Sequence, residues 1–205
     1  LIIPVGDSYA KSSVKSVNFK NRVDLLNLLI KKAPSKYNIK VDPIYKNTKT
    51  LGTSDEIDLI EKKYKVKPII LFGSDNVLGA LGDGWNFSLK KKKKLFENNI
   101  FLVSCSNNTN NKRGYCPTLE EIINLEIQTK EIKSTLIPFV INTNDSGISS
   151  TSIRNLLLEY IESGNKSLLT PYLYNNQINY ILKHKLWIMT AKKSKKKKNK
   201  KEPIQ

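Results

Sequence analysis

The chain has 205 residues, 39% of them hydrophobic and 26% charged, with a formal net charge of +17. This is the balance of a globular protein long enough for one packed domain, and its longest apolar runs, PIILF and STLIPFVI, fall far short of the roughly 20 residues a membrane span needs. Two cysteines, Cys105 and Cys116, exclude a disulfide framework or a cysteine zinc cluster and point to a reducing, intracellular setting without a recognisable secretory signal.

The elements follow in chain order. LIIPV at Leu1–Val5 is a short β-rich run stopped by GDS, a strand with a loop at its carboxyl end. RVDLLNLLIKK puts Val23, Leu26, Leu29 and Ile30 on one face of a helix that ends at Ala33–Pro34. Tyr37 to Val41 is a second short strand. Ser54 opens SDEIDLIEKKY, whose acidic start and basic end match the direction of a helix dipole. Lys67 to Phe72 is a strand running into GSDN, and Ile100 to Val103 and Leu136 to Ile141 are two more. Ser152 to Ser163 and Asn175 to Lys183 read as helices. Strand and helix alternate, which predicts an α/β fold with a mostly parallel sheet and helices on both faces. The domain spans residues 1–190, with a flexible insert at 104–130 and a lysine-rich disordered tail at 191–205.

That tail carries eight lysines and one glutamate, so +7 of the charge lies there and +10 on the rest, with Lys90 to Lys94 a second block. No aromatic residue interleaves the tail lysines, as single-stranded nucleic-acid binders usually require. Solvated, compositionally biased lysine is therefore the plainer reading, with nucleic acid an unfavoured partner. KKSKKKKNKK also has the form of a nuclear import signal, which makes the nucleus or the cytoplasm the expected location.

In open parallel sheets, ligands bind beyond the carboxyl ends of the strands. PVGDSY, FGSDN and NDSGISST all fall at such ends. ISSTSIR, at Ile148 to Arg154, has two readings. Its hydroxyls can cap a helix, or they can share with the exposed N–H groups the task of holding a phosphate. Arg154, one turn beyond Thr151, is a surface residue in the first reading and a fork of phosphate donors in the second. Asp75 is a helix cap or an acceptor for ribose hydroxyls, and Trp85 is a core or lid residue or a stacking surface.

Four stretches taken together resemble the eukaryotic nicotinamide/nicotinate mononucleotide adenylyltransferases. They are PVGDSY, FGSDN, a tryptophan ten residues beyond that aspartate, and ISSTSIR followed by LLTPYLYNNQINYILKHKLW. The resemblance implies a Rossmann-like nucleotidylyltransferase fold and transfer of the adenylyl group of ATP, with its Mg²⁺, to a pyridine mononucleotide. It implies that Ser149, Ser150, Thr151 and Arg154 contact ATP phosphates, with Arg154 catalytic, and that Gly73 and Asp75 contact nucleotide ribose. It assigns Lys11, Thr53 and Trp85 to the mononucleotide, Trp85 by stacking on the pyridine ring. No metal bound by the chain in its own right is implied, and relatives are commonly homo-oligomers.

The pattern also departs from that family. The basic pair expected after PVGDSY is Ala10–Lys11, and the tryptophans expected in 42–53 are replaced by Ile44 or Tyr45 and by Leu51. A GxFxPxxxxH loop, whose histidines would bind ATP, has no counterpart, since the sole histidine is His184. The expectation is of a longer protein whose first strand, loop and helix precede Leu1, leaving this chain alone poorly active and with exposed apolar surface. Another nucleotidylyltransferase, or a non-catalytic nucleotide-binding homologue, is the alternative.

Overall fold

The computed structural model describes residues 1–8, 17–82, 85, 87–105, 118–140 and 150–188. The chain divides into two compact units, Leu1–Thr50 with Ser149–Gln205, and Leu51–Ile148.

In the first unit, α1 (Phe19–Ile30) is capped by Asn18, whose side chain accepts from the Asn21 N–H. Predicted strand Leu1–Val5 amounts to a single parallel bridge, Ile2 with Val41. Pro4 has no N–H to donate and ends the pairing there. The loop that follows is tied down by polar contacts instead. Gly6 N–H donates to Thr50 Oγ1 at 2.9 Å and Thr50 N–H to Ser8 Oγ at 2.8 Å. Arg22, on α1, donates to the carbonyls of Val5 and Val17 and pairs with Asp7 at 3.1 Å.

The second unit opens with α2 (Thr53–Tyr64), followed by β1 (Ile69–Gly73), α3 (Ser74–Leu81), α4 (Leu89–Phe96), β2 (Ile100–Cys105), α5 (Leu119–Gln128) and β3 (Thr135–Val140). The three strands form a parallel sheet in the order β1-β2-β3, with Ile69 opposite Ile100 and Ile100 opposite Thr135. The sequence reading makes 104–130 a flexible insert, yet α5 lies within it. Thr118 and Glu121 form a reciprocal capping box that starts the helix.

Parallel strands taken in sequential order, joined by right-handed crossovers, place every connecting helix on the same side of the sheet. Accordingly, Ile57, Val77, Ala80, Leu81, Leu95, Phe96 and Ile122 from the four helices bury against Phe101, Val103, Cys105 and Leu136. The pleat sends alternate residues to the opposite face. There Ile69, Leu71, Ile100, Ile137 and Phe139 share one surface by register and remain exposed, Leu71 to 67%.

Two further helices belong to the first unit, α6 (Ser150–Ser163) and α7 (Asn175–Lys183). Their apolar stripes, with Val17, Leu169 and Leu186, form a separate core around Leu157, Ile178 and Ile181. What the whole shows is an α/β chain with a generic Rossmann-like sheet-and-helix unit.

Candidate functional site

The first group of predicted residues lies on α6. Serine and arginine four positions apart fall on the same helical face, and Ser150 and Arg154 line one cavity of about 280 Å³. Its other walls are Leu25 and Leu26 of α1, Ile153 and Leu157 of α6, Gln177 and Ile181 of α7, and Leu173 and Trp187. Ser150 is exposed and Arg154 half-buried, so the polar atoms sit where water still reaches. A phosphate carried into the apolar depth would lose hydration that leucine and isoleucine cannot replace. The charged donor for an anion is on the Ser150–Arg154 side, with Gln177 the other polar residue of the lining. Thr151 is the second residue of the same helix, while its side chain, Ser149 and Lys11 lie outside the described residues.

The second group lies on the sheet unit. FGSDN does sit at a strand's carboxyl end, with Gly73 closing β1 opposite Ser104. Gly73, which has no side chain to cap with, is the N-cap of α3, and Asp75 is in the first turn and exposed. The capping reading of Asp75 therefore gives way to a first-turn position, where a carboxylate suits the positive end of the dipole. The space above Gly73 is taken by Asp75 itself: a Cβ at residue 73 would stand 2.5 Å from Asp75 Oδ1. The glycine accommodates that carboxylate.

Thr53 is the first residue of α2, so its N–H is among the four that have no acceptor within the helix. Trp85 is 41% exposed and packs edge-on against Phe87, ring centroids 5.5 Å apart. Tyr45, which with Ile44 is a candidate for the place of a pocket-wall tryptophan, is 2% exposed and packs beside Gly6. His184 is the C-cap residue of α7 and stacks on Tyr180 with centroids 4.2 Å apart, a structural position.

Sequence reasoning passed over Arg22 and Thr50, which fix the PVGDSY loop, and Gly79, which lies under Trp85. Among the described residues, no group of three or more His, Cys, Asp or Glu is placed to hold a metal ion. No protein-family model matches this sequence, and no curated protein is significantly similar to it.

Proposed function

We propose that the protein transfers the adenylyl group of ATP to the phosphate of a nicotinamide or nicotinic acid mononucleotide, releasing pyrophosphate and forming the dinucleotide. The observation that carries this reading is the pairing of Ser150 and Arg154 on one face of α6, lining one cavity. It is supported by Trp85, a half-exposed flat ring, and by the exposed Asp75 at the end of β1.

The reaction is an in-line displacement. A phosphate oxygen of the mononucleotide attacks the α-phosphorus of ATP, a new P–O bond forms, and the bond to the β-phosphate oxygen breaks. The nucleophile is already ionised near neutral pH, so no general base is asked of the protein. Mg²⁺ enters with ATP, as part of the substrate, on its phosphate oxygens. The contribution of this chain is alignment and charge neutralisation. Arg154 supplies a planar pair of donors, and Ser150 a hydroxyl beside it. Asp75 accepts from ribose hydroxyls, Thr53 offers a helix-start N–H to the pyridine substituent, and Trp85 stacks on the ring. Lys11 and Ser149 keep their expected roles at the mononucleotide and ATP phosphates.

Pyrophosphate release at saturating Mg–ATP and nicotinamide mononucleotide tests the assignment, in protein expressed from the complete coding region. Arg154→Ala should lower the rate about a hundredfold, and Arg154→Lys should recover only part of it, because a point charge lacks the two-pronged geometry. Both variants should melt close to the parent. An Arg154→Ala rate within twofold of the parent would remove Arg154 from the chemistry.

A further inference from the structure

Gly79 is buried in the interior of α3, where alanine would favour the helix. Its backbone is helical, so the glycine is not there for a left-handed turn. The reason lies six residues on. A Cβ built on Gly79 would stand 2.3 Å from Trp85 Nε1, 2.6 Å from Cε2 and 2.9 Å from Cδ1. Similar distances to a ring nitrogen and to both of its ring neighbours put that atom over the face of the five-membered ring, not beyond its edge. The indole face therefore fills the space that a side chain on Gly79 would need. Trp85 N–H also donates to the Gly79 carbonyl at 2.7 Å, fixing the backbone end of the same residue. Phe87 meets the indole edge-on at an interplanar angle of 66°. One face is thus occupied by a helix and a second ring packs at a steep angle to it, yet 41% of the residue remains exposed.

We infer that Gly79 is a positioning residue that acts through Trp85, seating the indole so that its outer face is a fixed platform for a planar, electron-poor heterocycle. The inference rests on the reading of Trp85 as the pyridine contact. Any side chain at residue 79 forces the ring outwards, since carbon atoms in contact stay about 3.5–4.0 Å apart. A fixed ring has less orientational freedom to lose when a ligand stacks on it, which is the advantage of preorganisation. An oxidised pyridinium adds a cation–π attraction to the same face.

The chain has two tryptophans, so Trp85→Phe leaves the signal of Trp187 alone, and subtraction gives that of Trp85. In ligand-free protein, Gly79→Ala should change the near-ultraviolet circular dichroism and the emission maximum of Trp85. Its melting temperature should stay near the parent's, because helix propensity gained offsets packing lost. Titration with nicotinamide mononucleotide should quench Trp85 in the parent. Gly79→Ala and Trp85→Phe should each weaken binding about tenfold, followed for the latter by calorimetry. In the Trp85→Phe background, Gly79→Ala should add nothing further. An unchanged Trp85 spectrum in Gly79→Ala overturns the seat, whatever the ligand does. Equal weakening by Gly79→Ala with and without Trp85 overturns the route through the ring. A parent that does not bind the mononucleotide, with a spectrum that still depends on residue 79, overturns the pyridine reading and this inference together.

Discussion

Tyr180 joins α7 to α1 through a polar contact that three side chains share. Its hydroxyl donates to Asp24 Oδ2 at 2.6 Å and lies 2.9 Å from Asn21 Oδ1. The bond from Lys20, and then that from Tyr180, hold the Asp24 carboxyl below its ordinary 3.8. Burial, and then the bond to Asp24, push the Tyr180 phenol up to about 12. The two shifts have opposite signs in pH. The lowered Asp24 value stabilises the fold above pH 3.8 and is lost as acid protonates the folded carboxyl. The raised Tyr180 value stabilises the fold fully below pH 10.0 and is lost as pH climbs through about 12. Tyr180→Phe should therefore lower stability by about 1 kcal/mol at neutral pH. In urea titrations the difference from the parent should hold roughly level from about pH 5 to 9 and shrink above pH 10.0. A difference that grows in alkali would contradict this assignment.

Among the elements, β2 is the one on which the sheet unit depends. Phe101 lies fully buried between Phe96 and Phe72, ring centroids 4.8 and 5.1 Å away. Phe101→Ala should cost about 3–5 kcal/mol, cavity included, read by chemical denaturation. A cost under about 1 kcal/mol would mean that this cluster is not the core. The strands were legible because each apolar run stops at Gly, Ser, Asp or Asn, and β1, β2 and β3 all lie where such runs predict. Helices α3 and α4 were not, for different reasons. Gly79 and Gly82 interrupt the helical signal of the first, and five lysines in the second leave only Leu89, Leu95 and Phe96 to mark an apolar face. At the site, the grouping of the ISST hydroxyls with Arg154 was readable from helical spacing, although the helix starts at Ser150, two residues before the sequence reading placed it. The seat under Trp85 was not, since it depends on how the chain returns across α3. Of the two readings of Asp75, the cap falls to Gly73 instead, and a glycine N-cap leaves no side-chain signature in the sequence.

At the scale of the molecule, the exposed sheet face is the feature most at odds with a protein surface. Contiguous apolar patches of this kind favour association or dye binding. Leu71, on edge strand β1 and opposite Leu102 by register, is 67% exposed. Leu71→Ser should leave the melting temperature nearly unchanged while reducing the fluorescence of a bound apolar dye. Undiminished dye fluorescence would mean that this face is covered in solution. The lysine blocks act on the opposite problem, since a charge of +17 opposes self-association and draws anionic small molecules. Charge alone does not choose among phosphorylated acceptors, so the central claim turns on product identity. The most direct measurement follows the α-phosphorus of labelled Mg–ATP in protein expressed from the complete coding region. The acceptors offered are nicotinamide mononucleotide, nicotinic acid mononucleotide and phosphopantetheine, each supplied separately. The account predicts label in a pyridine dinucleotide, with one pyrophosphate released per dinucleotide, and none transferred to phosphopantetheine. Label that enters no dinucleotide, or that passes equally well to phosphopantetheine, would contradict it.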